Sequence, residues 1–305
     1  MPQDRPKPFG ARQAVVALFV GAAGTAMAAV IVRLSELGPS ATAFHRMALA
    51  IPMMAAWMWL TERGRPPAAA KLTARDVVLL AATGVFFAGD LIALHWSIGL
   101  TTVANAVLFL NSQPIFVALG AWLVFGTRFT RLYLVGLALA MIGAAVLMGN
   151  SLQLGADHLL GDALGLASGI FYALYILVTV RLRARFRSLP IMIWTCVAAS
   201  PLLLIAAVAS GEAILPQTLY GWAMVILLAF VAQFAGNGLI VVALAHLPAE
   251  FSAVGLLVQP VMAGIFAWIV LGEPLSALAV GGMGIVLAGI WIAHRGSRLP
   301  APPAP

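Results

Sequence analysis

Long apolar segments follow one another along the chain, separated by short polar stretches. Each is close to the ~20 residues that an α-helix needs to cross the hydrocarbon core of a bilayer. The segments lie at approximately 14–32, 42–60, 77–98, 102–125, 132–149, 160–180, 189–209, 219–245, 249–271 and 276–293. The pattern predicts an all-α integral membrane protein with ten transmembrane helices, numbered here as spans one to ten, and no soluble domain.

One stretch of span four returns in span nine without a gap, so that residues 104–126 match residues 250–272. The matched pairs are Gln113-Pro114 with Gln259-Pro260, Ala121-Trp122 with Ala267-Trp268, and Gly126 with Gly272. A proline inside an apolar helix removes a backbone hydrogen bond and frees a carbonyl. Unpaired backbone is costly in lipid. Helix breaks at Pro114 and Pro260, in matching positions of two halves, therefore indicate the binding site of a secondary transporter.

Further sequence matches relate other spans of the two halves. They are Val-Ile-Val-Arg-Leu at 30–34 with Val-Thr-Val-Arg-Leu at 178–182, mid-span Pro52 with Pro201, and Gly136 and Gly143 with Gly282 and Gly289. We therefore predict two five-helix repeats, residues 1–149 and 150–305, within one membrane domain. Because five is an odd number, the second repeat enters the membrane from the opposite side. Inverted repeats permit two near-equivalent conformations, one facing inward and one facing outward.

Glycines recur on spans five and ten, where small residues let two helix backbones approach closely. The glycines expected to form such contacts are Gly136, Gly143, Gly281, Gly282, Gly284 and Gly289.

Composition supports the membrane assignment. The 305 residues are 63% hydrophobic and 9% charged, with a mean hydropathy of +1.04, and so few charges cannot cover a water-soluble globule of this size. The net charge of +7 does not indicate nucleic-acid binding, because Lys and Arg lie at helix ends and not on one face. The lone Cys196 cannot form a disulfide or a thiolate metal cluster within the chain.

The distribution of basic residues predicts the orientation. With the N-terminus inside, Arg33 and Arg46 are the only ones of the 17 Lys and Arg residues that fall on the outer side. The positive-inside rule then puts both termini in the cytoplasm.

These features resemble the drug/metabolite transporter (DMT) superfamily, in its ten-helix bacterial EamA-type branch, and within it the exporters of amino acids, including aromatic ones. The resemblance covers essentially the whole chain and includes Gly272-Glu273-Pro274, although the first copy departs from it with Gly126-Thr127-Arg128. It implies a multi-pass protein of the bacterial inner membrane that exports small metabolites, most of all amino acids. Transport would occur by alternating access through a midplane cavity between the repeats.

Asp90 is the sole acidic residue deep within a predicted span. A carboxylate there costs ~2.5–3.5 kcal/mol on insertion scales, so it is expected to face the bundle interior with a partner or a proton. Asp90 is predicted either to contact a substrate amine or carry a proton, or to form a structural ion pair with Arg46 in the outer part of span two.

Other polar residues inside the membrane are candidates for the substrate cavity. They are Asn111, Ser112, Gln113, Tyr172, Tyr175, Gln233, Asn237 and Gln259. The tyrosines share one stripe of span six with Ser168 and Thr179, and such a stripe either lines a cavity or holds helices together. Gln113 and Gln259 have the alternative role of hydrogen bonding to carbonyls freed by the neighbouring prolines.

The sequence does not indicate an enzyme or a cofactor. It has neither a phosphate-binding loop with its lysine nor a paired metal-binding motif, and a lone Asp90 cannot hold a catalytic metal. A channel would need a ring of equivalent groups, which the asymmetry between the halves disfavours, and a membrane scaffold is the remaining remote alternative. The runner-up is an exporter of drugs or cationic metabolites, with Asp90 as the counter-charge. Expected partners are a small-molecule substrate and lipid, and a monomer is favoured.

Overall fold

The computed structural model describes residues 10–62, 72–149 and 156–297. The regular elements of this part of the chain are all helices. They are α1 (Ala11–Arg33), α2 (Pro39–Glu62), α3 (Ala74–Leu100), α4 (Val103–Leu110), α5 (Gln113–Phe125), α6 (Arg131–Met148), a 3₁₀ turn (Ala156–His158), α7 (Leu159–Arg183), α8 (Ser188–Ala209), α9 (Leu219–Leu228), a π-helix (Ala229–Asn237), α10 (Gly238–Ala243), α11 (Ala249–Gly255), α12 (Val258–Leu271) and α13 (Ala277–Gly296).

These helices occupy the ten predicted spans. Helices α4 and α5 together form span four, α9 to α10 form span eight, and α11 and α12 form span nine. Within the described ranges, nine of the ten segments are long and apolar enough to cross a membrane, and α2 is a tenth helix of similar length. The prediction of an all-α membrane fold is confirmed. The predicted boundary between the repeats at residues 149 and 150 lies where the described residues stop, and it stays a prediction.

Spans four and nine are both interrupted, but not at their prolines as predicted. The first break lies at Asn111 and Ser112, between α4 and α5, and Pro114 follows in the first turn of α5. The second lies at Leu256 and Leu257, and Pro260 is again in a first turn. The first N–H groups of a helix have no intrahelical partner, so proline removes nothing there. The prolines therefore begin the second half-helices and do not kink continuous ones.

Polar residues at the helix ends explain why the connections can be short. A threonine or serine side chain accepts a hydrogen bond from a first-turn N–H at the start of α3, α4, α6, α9 and α13, which is the preferred N-cap arrangement. Gly126 and Gly272 end α5 and α12 with φ of 66° and 69°. Glycine adopts this left-handed conformation without steric cost, which explains the return of this residue in both repeats.

The helix packing keeps the same pairs when the two halves are exchanged. Span three packs against span six, as α3 against α7, and span eight packs against span one, as the π-helix and α10 against α1. Span four against span six is likewise matched by span nine against span one. Spans two and seven, four and nine, and five and ten also contact each other, and exchanging the two halves leaves each of these pairs unchanged. This pairing is the arrangement expected for two repeats related by a pseudo-two-fold axis.

Helices α6 and α13 form the closest contact, through glycines of both. A Cβ atom added to Gly136 would lie 2.3 Å from the Ala293 nitrogen, and one added to Gly289 would lie 2.4 Å from the Ala140 nitrogen. A Cβ atom on Gly143 or Gly282 would lie similarly close to backbone of the partner helix, so the predicted packing role of these four glycines is confirmed. The prediction was wrong for Gly281 and Gly284, which have open space where a Cβ would stand, because they lie on another face of α13.

We expect Gly136→Ala to destabilise the protein strongly, because its methyl group would collide with the backbone of α13 and not with a flexible side chain. Overpacking typically costs about 1–3 kcal/mol. The matched control is Gly281→Ala, which adds the same methyl group to open space in a helix. Thermal unfolding in detergent should show a clear fall in Tm for the first variant and none for the second. Equal Tm values would contradict the proposed backbone contact.

Candidate functional site

Asp90 lies in the bundle interior and is 5% exposed. Its Oδ1 accepts a hydrogen bond from the Ser168 hydroxyl of α7 at 2.5 Å. The ion pair with Arg46, one of the two predicted alternatives, is not formed. The ion pairs among the described residues, within 4.0 Å, join Arg33 to Glu273 and Arg185 to Asp76.

Arg46 projects from α2 toward the same interior. Its Nε donates to Gln233 Oε1 of the π-helix at 3.1 Å. Its guanidinium carbon lies 5.7 Å from the centre of the Phe87 ring, a cation–π contact. Phe87 lies three residues before Asp90 on α3, about one turn along the same helix. A guanidinium and a carboxylate thus share one interior region without direct contact.

Three aromatic rings form one wall of this region. The rings of Phe87 and Tyr175 are 5.0 Å apart, those of Phe87 and Tyr172 are 6.3 Å apart, and those of the two tyrosines are 5.8 Å apart. The Tyr175 hydroxyl accepts a hydrogen bond from Asn237 Nδ2 at 3.1 Å, and the Tyr172 hydroxyl lies beside Gln259. The structure therefore brings predicted cavity residues of spans three, six, eight and nine together.

The symmetry-related glutamines have different environments. Gln259 Nε2 donates to the Thr25 hydroxyl of α1 at 2.7 Å, whereas Gln113 Oε1 is buried without a hydrogen-bond partner in the described chain. By the repeat that matches 30–34 with 178–182, the counterpart of Thr25 is Ala173, which has no side-chain acceptor or donor. Gln259 is satisfied by a threonine hydroxyl and not by a freed carbonyl, the alternative predicted for it.

Asn111 and Ser112 lie at the break in span four, and their side chains bond back to α4. Asn111 Nδ2 donates to the Val107 carbonyl at 2.8 Å, and Ser112 Oγ donates to the Phe109 carbonyl at 2.5 Å. Ser112 also lies against Gly169, the neighbour of Ser168. These residues therefore satisfy the carbonyls of the interrupted helix at the edge of the region that contains Asp90.

Span eight was predicted as one α-helix, and the prediction was wrong in its centre. Residues Ala229–Asn237 form a π-helix, and it carries the buried Gln233 and Asn237. Backbone of α1 lies directly against it, because a Cβ on Gly236 would stand 2.8 Å from the Thr25 nitrogen. π-Helical turns are rare and occur frequently at functional sites.

The sequence holds a signal for this π-helix that the repeat analysis missed. Phe-Ala-Gly-Asp at 87–90 returns as Phe-Ala-Gly-Asn at 234–237, 147 residues later. The next pair, Leu-Ile at 91–92, returns 148 residues later at 239–240, so Gly238 is one extra residue. A helix can accommodate one added residue by widening a turn from α to π geometry. The alignment also makes Asn237 the counterpart of Asp90.

The assembled region offers a carboxylate, a guanidinium, amides, hydroxyls and aromatic rings. In the described ranges, no group of three or more His, Cys, Asp or Glu side chains is close enough to hold a metal ion. Nine candidate membrane spans in the described part of the chain, with polar side chains of several spans buried in the interior, define a multi-pass membrane protein.

Comparison with known proteins identifies the family. The sequence profile described as the EamA-like transporter family matches the chain twice, at residues 11–149 and 159–294. The chain belongs to this family, within the DMT superfamily, and is a membrane transporter of small solutes and not an enzyme. An uncharacterized transporter of Archaeoglobus fulgidus is 26% identical over 266 residues, which covers 85% of this chain and 89% of the relative. One solved crystal structure superposes with a TM-score of 0.81 at 15% sequence identity, covering 95% of this chain and all of the other.

Proposed function

We propose that the protein exports amino acids by alternating access through a cavity between its two repeats. The observation that carries the proposal is a polar cluster in the bundle interior, to which both repeats contribute. It consists of the buried Asp90, Tyr172 and Gln233 and the half-buried Arg46 and Gln259. A neutral or zwitterionic solute matches a region with one carboxylate and one guanidinium. Phosphorylated substrates would need several cationic contacts, and the cluster offers one.

The substrate cavity in this proposal consists of the predicted residues. They are Asp90, Asn111, Ser112, Tyr172, Tyr175, Gln233, Asn237 and Gln259. The aromatic wall favours an apolar or aromatic side chain on the amino acid, because Phe87, Tyr172 and Tyr175 offer ring edges and faces. The half-helices that begin near Pro114 and Pro260 flank this cavity and would move against each other during the transport cycle.

At one end of the bundle, side-chain contacts join loops and helix ends. Arg33 pairs with Glu273, and Glu36 accepts a hydrogen bond from the Thr218 hydroxyl. Glu212 accepts a bond from the Ala41 N–H at 2.7 Å, at the positive N-terminus of α2. Under the positive-inside orientation this is the outer end, so the contacts would form a gate that opens in the outward-facing state.

The other end carries a cavity of about 520 Å³ between α2, α8 and α10. Its lining includes Trp57, Arg183, Met192 and Phe234. The rings of Trp57 and Phe234 meet edge to face at 6.2 Å, and Phe234 is the neighbour of Gln233 in the π-helix. In the proposal this cavity is the cytoplasmic entrance, and both termini lie in the cytoplasm of a bacterium, with the chain in its inner membrane.

The test is transport by purified protein in proteoliposomes. We expect saturable counterflow of labelled phenylalanine or leucine, and no competition by a permanently charged organic cation such as tetraphenylphosphonium. Protein-free liposomes are the control, and inside-out membrane vesicles test direction, since an exporter accumulates substrate in them. Transport of the cation without transport of any amino acid would overturn the proposal in favour of a drug or cationic-metabolite exporter, for which Asp90 would supply the counter-charge.

A further inference from the structure

We infer that Arg46 binds the substrate's carboxylate and that Gln233, presented by the π-helix, is the positioning residue that aims it. This inference rests on the proposed function and assigns a role to each charged side chain of the site. Arg46 binds the α-carboxylate of the amino acid, and Asp90 binds its α-ammonium group.

The first argument is that Arg46 has hydrogen-bond donors that the described residues do not use. Its Nε bonds to Gln233, and its two terminal nitrogens make no hydrogen bond to the described residues. Arg46 is half-buried, so these nitrogens are not sealed in a dry core. A guanidinium inside a membrane protein is costly unless it is paired. A carboxylate can satisfy it through two parallel hydrogen bonds.

The second argument is the spacing of opposite charges. Arg46 packs over the ring of Phe87, one turn from Asp90 on α3. Asp90 and Arg46 are nevertheless more than 4.0 Å apart, because neither ion pair in the described chain includes them. Asp90 is held by Ser168 from α7, while Arg46 is held by Gln233 from the π-helix. Separate anchors keep the two charges from collapsing onto each other. A zwitterion placed between them would pair with both.

The third argument concerns the orientation of Gln233. The side chain is fully buried, and its Nε2 donates to the Cys196 sulfur at 3.6 Å while Oε1 accepts from Arg46. Arginine has donors only, so the amide must present its oxygen to Arg46. The guanidinium is therefore fixed on its Nε side and packs over the Phe87 ring, while its terminal nitrogens make no hydrogen bond within the described residues.

The first measurement uses the wild-type protein, so folding of a variant cannot obscure it. Phenylalanine and leucine are compared with their carboxamides as competitors of transport in proteoliposomes. We expect the carboxamides to compete about 30-fold less well. This factor corresponds to about 2 kcal/mol at 1.4 kcal/mol per tenfold, the lower end of the cost of removing one partner of a hydrogen-bonded charge pair. Equal competition by acid and amide, with the amino acid still transported, would overturn this inference and leave the proposed function standing.

Variants then assign the preference to residues. The quantity compared is the acid-to-amide ratio, the factor by which the amino acid competes better than its carboxamide. In Arg46→Gln this ratio should fall from about 30-fold to near one while the carboxamide still binds. General loss of folding cannot produce that result. Arg46→Lys keeps the charge without the planar fork and should give an intermediate ratio. Gln233→Met should lower the ratio while preserving bulk. Arg131→Gln, at the exposed start of α6, is the control and should keep it.

An unchanged ratio in folded Arg46→Lys and Gln233→Met proteins would refute the assignment, even if Arg46→Gln does not fold. If the wild type transports no amino acid at all, the proposed function fails first, and this inference fails with it.

Discussion

Replacing Asp90 by Asn is expected to lower amino-acid transport at least about tenfold while the protein stays folded, since 1.4 kcal/mol of lost binding is already tenfold. The amide keeps the size of the side chain and can still accept the bond from Ser168 through its oxygen. It loses the negative charge that would pair with a substrate ammonium. The measurement is counterflow in proteoliposomes, with Tm in detergent recorded for the same preparation.

The control for this variant is Asp157→Asn, an exposed carboxylate at the 3₁₀ turn before α7, which should transport normally. The double variant Asp90→Asn with Arg46→Gln separates the two predicted roles of Asp90. If the two residues formed a structural ion pair, removing both charges would restore stability and transport. We expect no restoration, and a stable, active double variant would refute the transport role.

The sequence predicted the fold well, because the length of an apolar segment is set by the bilayer and can be counted. Every span fell within a few residues of one structural helix or, for spans four, eight and nine, of consecutive shorter helices. Close packing of α6 and of α13 was predicted because Gly136 and Gly143, and Gly282 and Gly289, recur on single helix faces; that the two helices pack against each other is a finding of the structure. The packing prediction was wrong for Gly281 and Gly284, because neighbouring positions on one helix point in different directions.

The partners of polar side chains were harder to predict, because they depend on which helices touch. Arg46 and Asp90 were paired in one hypothesis because each lies in the outer half of its span. Serine and glutamine side chains from other helices, Ser168 and Gln233, hold them instead. The prolines misled in a related way. Pro114 can break a helix or begin one, and sequence alone does not say which.

The centre of span eight was mispredicted because two signals conflicted. Hydrophobic periodicity favoured a continuous α-helix from 219 to 245, and one added residue does not disturb that pattern. Only comparison with the other repeat identifies Gly238 as an added residue, since Phe-Ala-Gly-Asp at 87–90 continues directly to Leu91. The same comparison reveals a chemical asymmetry of the two halves, because the carboxylate of Asp90 in the first corresponds to the amide of Asn237 in the second.

Deleting Gly238 is expected to abolish transport without unfolding the protein. The deletion makes the second repeat read Phe-Ala-Gly-Asn-Leu-Ile, as the first reads Phe-Ala-Gly-Asp-Leu-Ile, so span eight can close into a regular α-helix. Residues on the two sides of the deletion then shift by about 100° and ~1.5 Å relative to each other. We expect Gln233 to lose its hydrogen bond to Arg46 and Asn237 to lose its hydrogen bond to Tyr175, because both side chains project from the π-helix. Counterflow and far-ultraviolet circular dichroism measure the two effects.

The matched control is Gly238→Ala, which keeps the residue count. A Cβ at this position would meet the Met192 methyl at 3.4 Å, an ordinary contact, so this variant should fold and transport amino acids close to normally. The contrast separates the length of span eight from the identity of its glycine. If the deletion variant is helical and transports normally, the π-helix contributes nothing to substrate binding, and the role assigned to Gln233 is lost with it. If both variants fail equally, the glycine itself and not the added residue is what the site requires.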